Sequence, residues 1–170
     1  RHLAFGYVDQ PPMVALQARL SELLFGYSHM ASLRLISALA GAATVFLTGA
    51  IVWAMGGTRR AAAFAMLGVT VAGVYPGSDS FLSMNSFDPV FWMLCALALI
   101  RIAAEHGLPE HERPGREHLV RFWWVVLGVS AGLGLENKDT IVFFLVAVLI
   151  ALLLTPQRRV LANRWFAVAM

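Results

Sequence analysis

Charge is scarce in this chain, and several classes of protein are excluded by what it lacks. Asp, Glu, Lys and Arg make up 14% of its 170 residues, against roughly a quarter in a soluble domain. One cysteine, Cys95, has neither a disulfide partner nor a CxxC neighbour, so no disulfide framework is available. It lies midway along an apolar run and reads as a small inert core residue. There is one lysine, Lys138; the other twelve of the thirteen basic residues are arginines. They give a pI near 9.6, yet they are scattered through turns that flank apolar runs. No basic helix or aromatic-interleaved patch is present, so nucleic acid is not a partner. No segment alternates with the period of a membrane barrel strand. No secretory signal peptide opens the chain, and the insertion signals are expected to lie ahead of Arg1.

Apolar residues fill the space that charge leaves. They make up 59% of the chain and give a mean hydropathy of +0.70, the composition of an integral membrane protein. A hydrocarbon core of about 30 Å takes roughly 20 residues of helix. Five stretches approach that length, at about 33–56, 61–76, 89–104, 120–135 and 140–155, and a further span begins near Trp165. Backbone amides in lipid must be satisfied within each segment, so the spans are helices. The expected fold is an all-α, multi-pass transmembrane bundle.

The arginines orient it. Arg59, Arg60, Arg101, Arg113, Arg116, Arg121, Arg158, Arg159 and Arg164 fall in one alternate set of loops, and the other set holds Arg1, Arg19, Arg34 and Lys138. By the positive-inside rule the arginine-rich loops are cytoplasmic. The segments carrying Asp9, Asp79 to Asp88 and Glu136 to Asp139 then face the exterior or periplasm of an inner membrane, with the candidate chemistry on that side. Phe122, Trp123 and Trp124 read as an aromatic belt at the cytoplasmic interface. The loop from Glu105 to His118 holds His106, His111 and His118 with four glutamates, but its prolines and glycines make it a solvated linker.

Residues 1–32 read as an exoplasmic loop containing one short helix. From Pro12 to Phe25, Met13, Leu16, Leu20 and Leu23 form a helical stripe, with Gln17, Ser21 and Glu22 off it. The segment is too short to span and two prolines suit its first turn. It is expected to lie in the membrane interface, pairing Arg19 with Glu22 and holding Asp9 at the depth of a lipid head group.

Four segments in order carry a family resemblance. Tyr7-Val8-Asp9-Gln10-Pro11-Pro12 resembles the acid-x-Pro-Pro signature of the dolichyl-phosphate-mannose-protein mannosyltransferase-like superfamily. Leu33-Arg34-Leu35-Ile36-Ser37-Ala38-Leu39-Ala40-Gly41-Ala42 is similar to a span of that family. So are Asn85-Ser86-Phe87-Asp88-Pro89, with its acid at a span's start, and Gly132-Leu133-Gly134-Leu135-Glu136-Asn137-Lys138. The resemblance implies a GT-C type glycosyltransferase, related to protein O-mannosyltransferases and lipid A aminoarabinose transferases. Its partners would be a polyprenyl-phosphate-linked sugar donor, membrane lipid and an exoplasmic acceptor. It also implies a longer enzyme, with a further acidic motif ahead of Asp9 and additional spans, of which these residues are a core inactive alone.

Such a transfer needs a carboxylate base and a cation for the leaving phosphate. Asp9 and Asp88 are the catalytic candidates; Gln10, Lys138, Asn85, Glu136 and Arg34 are the substrate-binding ones. Each has a structural alternative. Asp9 precedes a Pro-Pro helix start, and Gln10 stands where relatives often carry Lys or His, so it brings a donor but no charge. Asp88 before Pro89 reads as a helix N-cap, as a group lining the site, or as both. Asn85 suits sugar hydroxyls or an ordinary loop. Lys138 is either a phosphate-contacting cation tuned by Glu136 and Asp139 or part of a local ion-paired turn. Arg34 either snorkels to head groups or helps hold the donor phosphate. A divalent ion held by Asp9 with His2 or His29 is the one metal reading left open, and no ligand spacing supports it. A transporter or lipid scaffold is the alternative function, weakened by the lack of ionisable groups at mid-span and of paired broken helices.

Overall fold

The computed structural model describes residues 12–26, 30–72, 83–109, 111 and 115–155. Among these every regular element is helical: α1 Met13–Phe25, α2 Met30–Ala54, α3 Arg59–Val71, α4 Met84–Gly107, α5 Glu117–Asn137 and α6 Ile141–Leu154. Three are long and apolar enough to cross a membrane, over Ala31–Ala54, Asn85–Gly107 and Glu117–Asn137. The expected all-α membrane bundle is what the chain forms.

Two expected spans are shorter than a bilayer as described. α3 has 13 residues and α6 has 14, roughly 20 Å of helix each. The part of the 61–76 span beyond Ala72, and the start expected near Trp165, lie outside the described residues. The first long span ends where Gly56 takes φ 83° and two amides turn back, Gly56 N to the Trp53 carbonyl and Gly57 N to that of Val52. This glycine-terminated cap satisfies carbonyls that the helix would otherwise leave open. Thr58 then starts α3, its hydroxyl accepting from Ala61 N at 3.2 Å.

The core runs between α4 and α5. Phe91, Cys95, Ala98 and Ile102, spaced along one face of α4, meet Trp124, Leu127 and Ala131 of α5 and Ile141 of α6. α2 packs on α4 and on α3, and Ser37, Ala40, Thr44 and Leu47 lie buried along it. Small residues let helix backbones approach closely where no hydrophobic force drives association in lipid. Thr44 and Thr48 return their hydroxyls to carbonyls one turn back, at 3.0 and 2.9 Å, so neither carries an unmet donor into the bundle. Phe46, Phe143 and Leu154 point outward, 69%, 75% and 81% exposed. Such surfaces would be costly in water and are ordinary against acyl chains.

Met13 leaves the expected apolar stripe of α1, and the expected aromatic belt is corrected. In α1 the buried stripe is Met13, Gln17 and Ser21, while Leu16, Leu20 and Leu23 are exposed. The polar side of this helix therefore meets α2 and α5, and its leucines are left for lipid. The Arg19–Glu22 pair forms as expected, at 3.0 Å. The aromatic belt is split: Phe122 is exposed, but Trp124 is 1% exposed and belongs to the core. Trp123 lies between them, with the Arg101 guanidinium 5.9 Å from its ring centre.

Candidate functional site

The start of α4, the end of α5 and the start of α6 meet at one corner, and local sequence explains the meeting. α5 runs to Asn137 and is followed by Lys138 in extended backbone, φ −163° and ψ 132°, with its amide bonded to the Gly134 carbonyl at 2.8 Å. Three residues then reverse the chain: the carbonyls of Lys138, Asp139 and Thr140 accept from the amides of Ile141, Val142 and Phe143. Gly134 makes the corner tight. A side chain there would run into Ile141 of α6, and its Cβ would stand 3.3 Å from the Cβ of Phe91 on α4.

α4 starts earlier than expected, which changes the reading of Asp88. Ser83 is extended and the helix begins at Met84, so Asp88 and Pro89 lie inside its second turn. Asp88 is not an N-cap. Pro89, lacking an amide hydrogen, gives nothing back to the Asn85 carbonyl. The Asp88 carboxylate turns instead toward the α5–α6 reversal, where its Oδ2 accepts from Thr140 Oγ1 at 3.3 Å. Thr140 stands at the N-cap position of α6 but has helical backbone angles and makes no cap bond, so its hydroxyl is available for Asp88. Asp88 Oδ1 is buried without a hydrogen bond, as is the indole Nε1 of Trp92 one turn further on. The indole N–H and the carboxyl group interact, but no well-formed hydrogen bond joins them.

Lys138 Nζ donates to Asn85 Oδ1 at 2.9 Å, across 53 positions of sequence. Its charge also acts on Asp88 without forming an ion pair. Among the described residues neither Glu136 nor Asp139 is ion-paired with Lys138, so the local ion-paired turn is replaced by a long-range bond to a neutral amide. Glu136 is exposed on the last turn of α5, and Arg34 is exposed on the second turn of α2. No described hydrogen bond or ion pair links either to the corner.

The corner thus gathers Asn85, Asp88 and Lys138 from the sequence candidates and adds Thr140 and Trp92. Thr140 carried no signal of its own, because its role depends on the chain reversal. Asp9, Gln10, His2, His29 and Asp79 lie outside the described residues. Among those described, no cluster of three His, Cys, Asp or Glu side chains could hold a metal. Chemically, the corner offers a carboxylate and an ammonium at the end of an apolar bundle, the ammonium using one of its three donors on Asn85.

The family model for dolichyl-phosphate-mannose-protein mannosyltransferase matches residues 9–170, nearly the whole chain. No curated protein and no solved structure matches it.

Proposed function

The chain belongs to the dolichyl-phosphate-mannose-protein mannosyltransferase family, and we propose that this membrane glycosyltransferase moves a sugar from a polyprenyl-phosphate donor to an acceptor hydroxyl on the exoplasmic face. The observation that carries the proposal is the seating of Lys138. The chain's one lysine is held by Asn85, beside Asp88, where the helix ends leave the apolar bundle.

In the proposed displacement the acceptor oxygen forms a bond to the anomeric carbon as the bond from that carbon to the phosphate oxygen breaks. The bonding pair leaves with the phosphate, and the Lys138 ammonium stabilises the charge that grows there. The acceptor's proton passes to a carboxylate, the role proposed for Asp9. Asp88, held by Thr140, lines the same corner. Asn85 is better suited to position Lys138 than to bind sugar, since its side-chain oxygen is already engaged. Gln10 and Arg34 are proposed to supply further donors to the phosphate, and Glu136 to act at the rim. The site would face the periplasm or exterior, because the arginine-rich turns are assigned to the cytoplasm.

The test is transfer of labelled sugar from polyprenyl-phosphate donors by the full-length protein in lipid. Lys138→Ala is expected to lower transfer by about 10- to 100-fold, the worth of one charge-assisted contact of about 1.5–3 kcal/mol, and Lys138→Arg to restore part of it. Asp9→Asn is expected to abolish transfer with folding intact. Undiminished transfer by Lys138→Ala would refute the role of the lysine. No transfer from any donor, with ion or lipid flux instead, would refute the reaction.

A further inference from the structure

A second feature lies at the α2–α3 turn, among residues with no part in the corner described above. The two helices enclose a groove of about 330 Å³, walled by Phe46, Trp53, Ala63 and Met66. Gly49 forms part of its floor, where a Cβ would come within 2.6 Å of the Met66 sulfur. Arg59 contributes the one charged side chain of the lining, and Arg60 follows it on the exposed start of α3.

No acidic residue occurs between Glu22 and Asp79, and among the described residues no carboxylate is ion-paired with Arg59 or Arg60. The anion that complements them must come from outside α2 and α3. The groove opens beside the turn that ends both helices, so its apolar walls run into the membrane from the level of the arginines. Phe46 and Trp53 are 69% and 67% exposed, so these walls offer aromatic surface to whatever enters. The occupant that matches is amphiphilic, with an anionic head at the turn and an apolar chain running inward.

We propose that this groove holds one acyl chain of an anionic glycerophospholipid from the leaflet the α2–α3 turn faces, its phosphate resting on Arg59. The site requires only that the chain span a membrane and is independent of the glycosyl-transfer reading.

Trp53 supplies the probe. The full-length protein is placed in phosphatidylcholine bilayers carrying brominated phosphatidylglycerol or, in parallel, brominated phosphatidylcholine at the same mole fraction. Subtracting the signal of Trp53→Phe isolates quenching at Trp53. Relative affinity for phosphatidylglycerol is expected to be about fivefold higher, the effect of one arginine near an anionic head group. Arg59→Gln is expected to remove that preference, and Ala63→Leu, which fills the groove, to lower it while the buried Cys95 stays protected from a thiol reagent. Equal quenching by the two lipids, or a preference that survives Arg59→Gln, would overturn the proposal. So would quenching by neither, which would put a protein segment over the groove.

Discussion

Gly132 and Gly134 sit two residues apart on α5 and should respond oppositely to the same substitution. Nothing lies within 4 Å of a Cβ built on Gly132, so Gly132→Ala changes mainly helix propensity and is expected to stabilise by up to about 1 kcal/mol. At Gly134 the same methyl enters the space of Ile141 and comes within 3.3 Å of the Phe91 Cβ. Ile141 is fully buried and has no room to turn aside, and a Cβ cannot move without its backbone. Overpacking of this kind costs about 1–3 kcal/mol. Since propensity is common to both sites, the difference between the two variants reads packing alone and should be about 1–3 kcal/mol. Ile141→Val deletes the methyl that Gly134→Ala meets first and alone should cost about 0.5–1.5 kcal/mol. Combined with Gly134→Ala it should recover about 1 kcal/mol relative to additivity. The assay uses Cys95, the one thiol in the chain, which is fully buried and should react with a maleimide only as the bundle opens in a detergent titration. Equal effects at the two glycines, or strict additivity with Ile141→Val, would refute the close meeting of α4, α5 and α6.

Two further perturbations separate groups that matter to the corner from groups that do not. Thr140→Val takes the donor from Asp88 Oδ2 while keeping the side chain's shape, and should cost about 1 kcal/mol, the low end for an unmet buried acceptor because the bond is long at 3.3 Å. Thr140→Ser should restore it in the same titration, and a neutral effect of the valine would refute the contact. At the opposite end of α4 and α5, Arg116 bonds both oxygens of Glu105 at 3.2 and 3.1 Å, but the arginine side chain is half exposed. Glu105→Gln should therefore change stability by less than about 1 kcal/mol, with the effect shrinking as salt is raised.

Helix type and the long spans were legible because hydropathy in a lipid-solvated chain is a direct physical requirement. The expected end of the first span, near residue 56, falls at the glycine whose positive φ forms the cap. The corner was legible in its residues and not in its bonds. Asp88-Pro89 has the local look of a helix start, yet α4 begins at Met84, and the carboxylate is claimed by Thr140 across 52 positions. Acids on both sides of Lys138 suggested local pairing, whereas its partner is a residue on another helix. For α1 the sequence separates an apolar from a polar stripe, and only the packing decides which meets protein. Here Gln17 and Ser21 are buried and Leu16, Leu20 and Leu23 are exposed, the side that an interfacial helix gives to lipid.

The neutral partner of Lys138 has a consequence for function. An ammonium paired with a carboxylate is already largely compensated, and an incoming phosphate must displace or share that partner. An ammonium held by an amide oxygen is fixed in place with its full charge and two donors left for an anion. Asn85→Asp separates holding from charge, because it keeps the side chain's size and tightens its grip on Lys138. Stability in the Cys95 assay should be unchanged or higher by less than about 1 kcal/mol, the usual worth of an exposed ion pair. Transfer should nevertheless fall by about tenfold or more, in keeping with a like charge placed beside a developing phosphate anion, and by more than in Asn85→Ala, which loosens the lysine without neutralising it. Were Lys138 only a brace between α4 and α5, the order would reverse: the aspartate, as the stronger brace, would equal or exceed the parent in transfer, and the alanine would be the poorer variant.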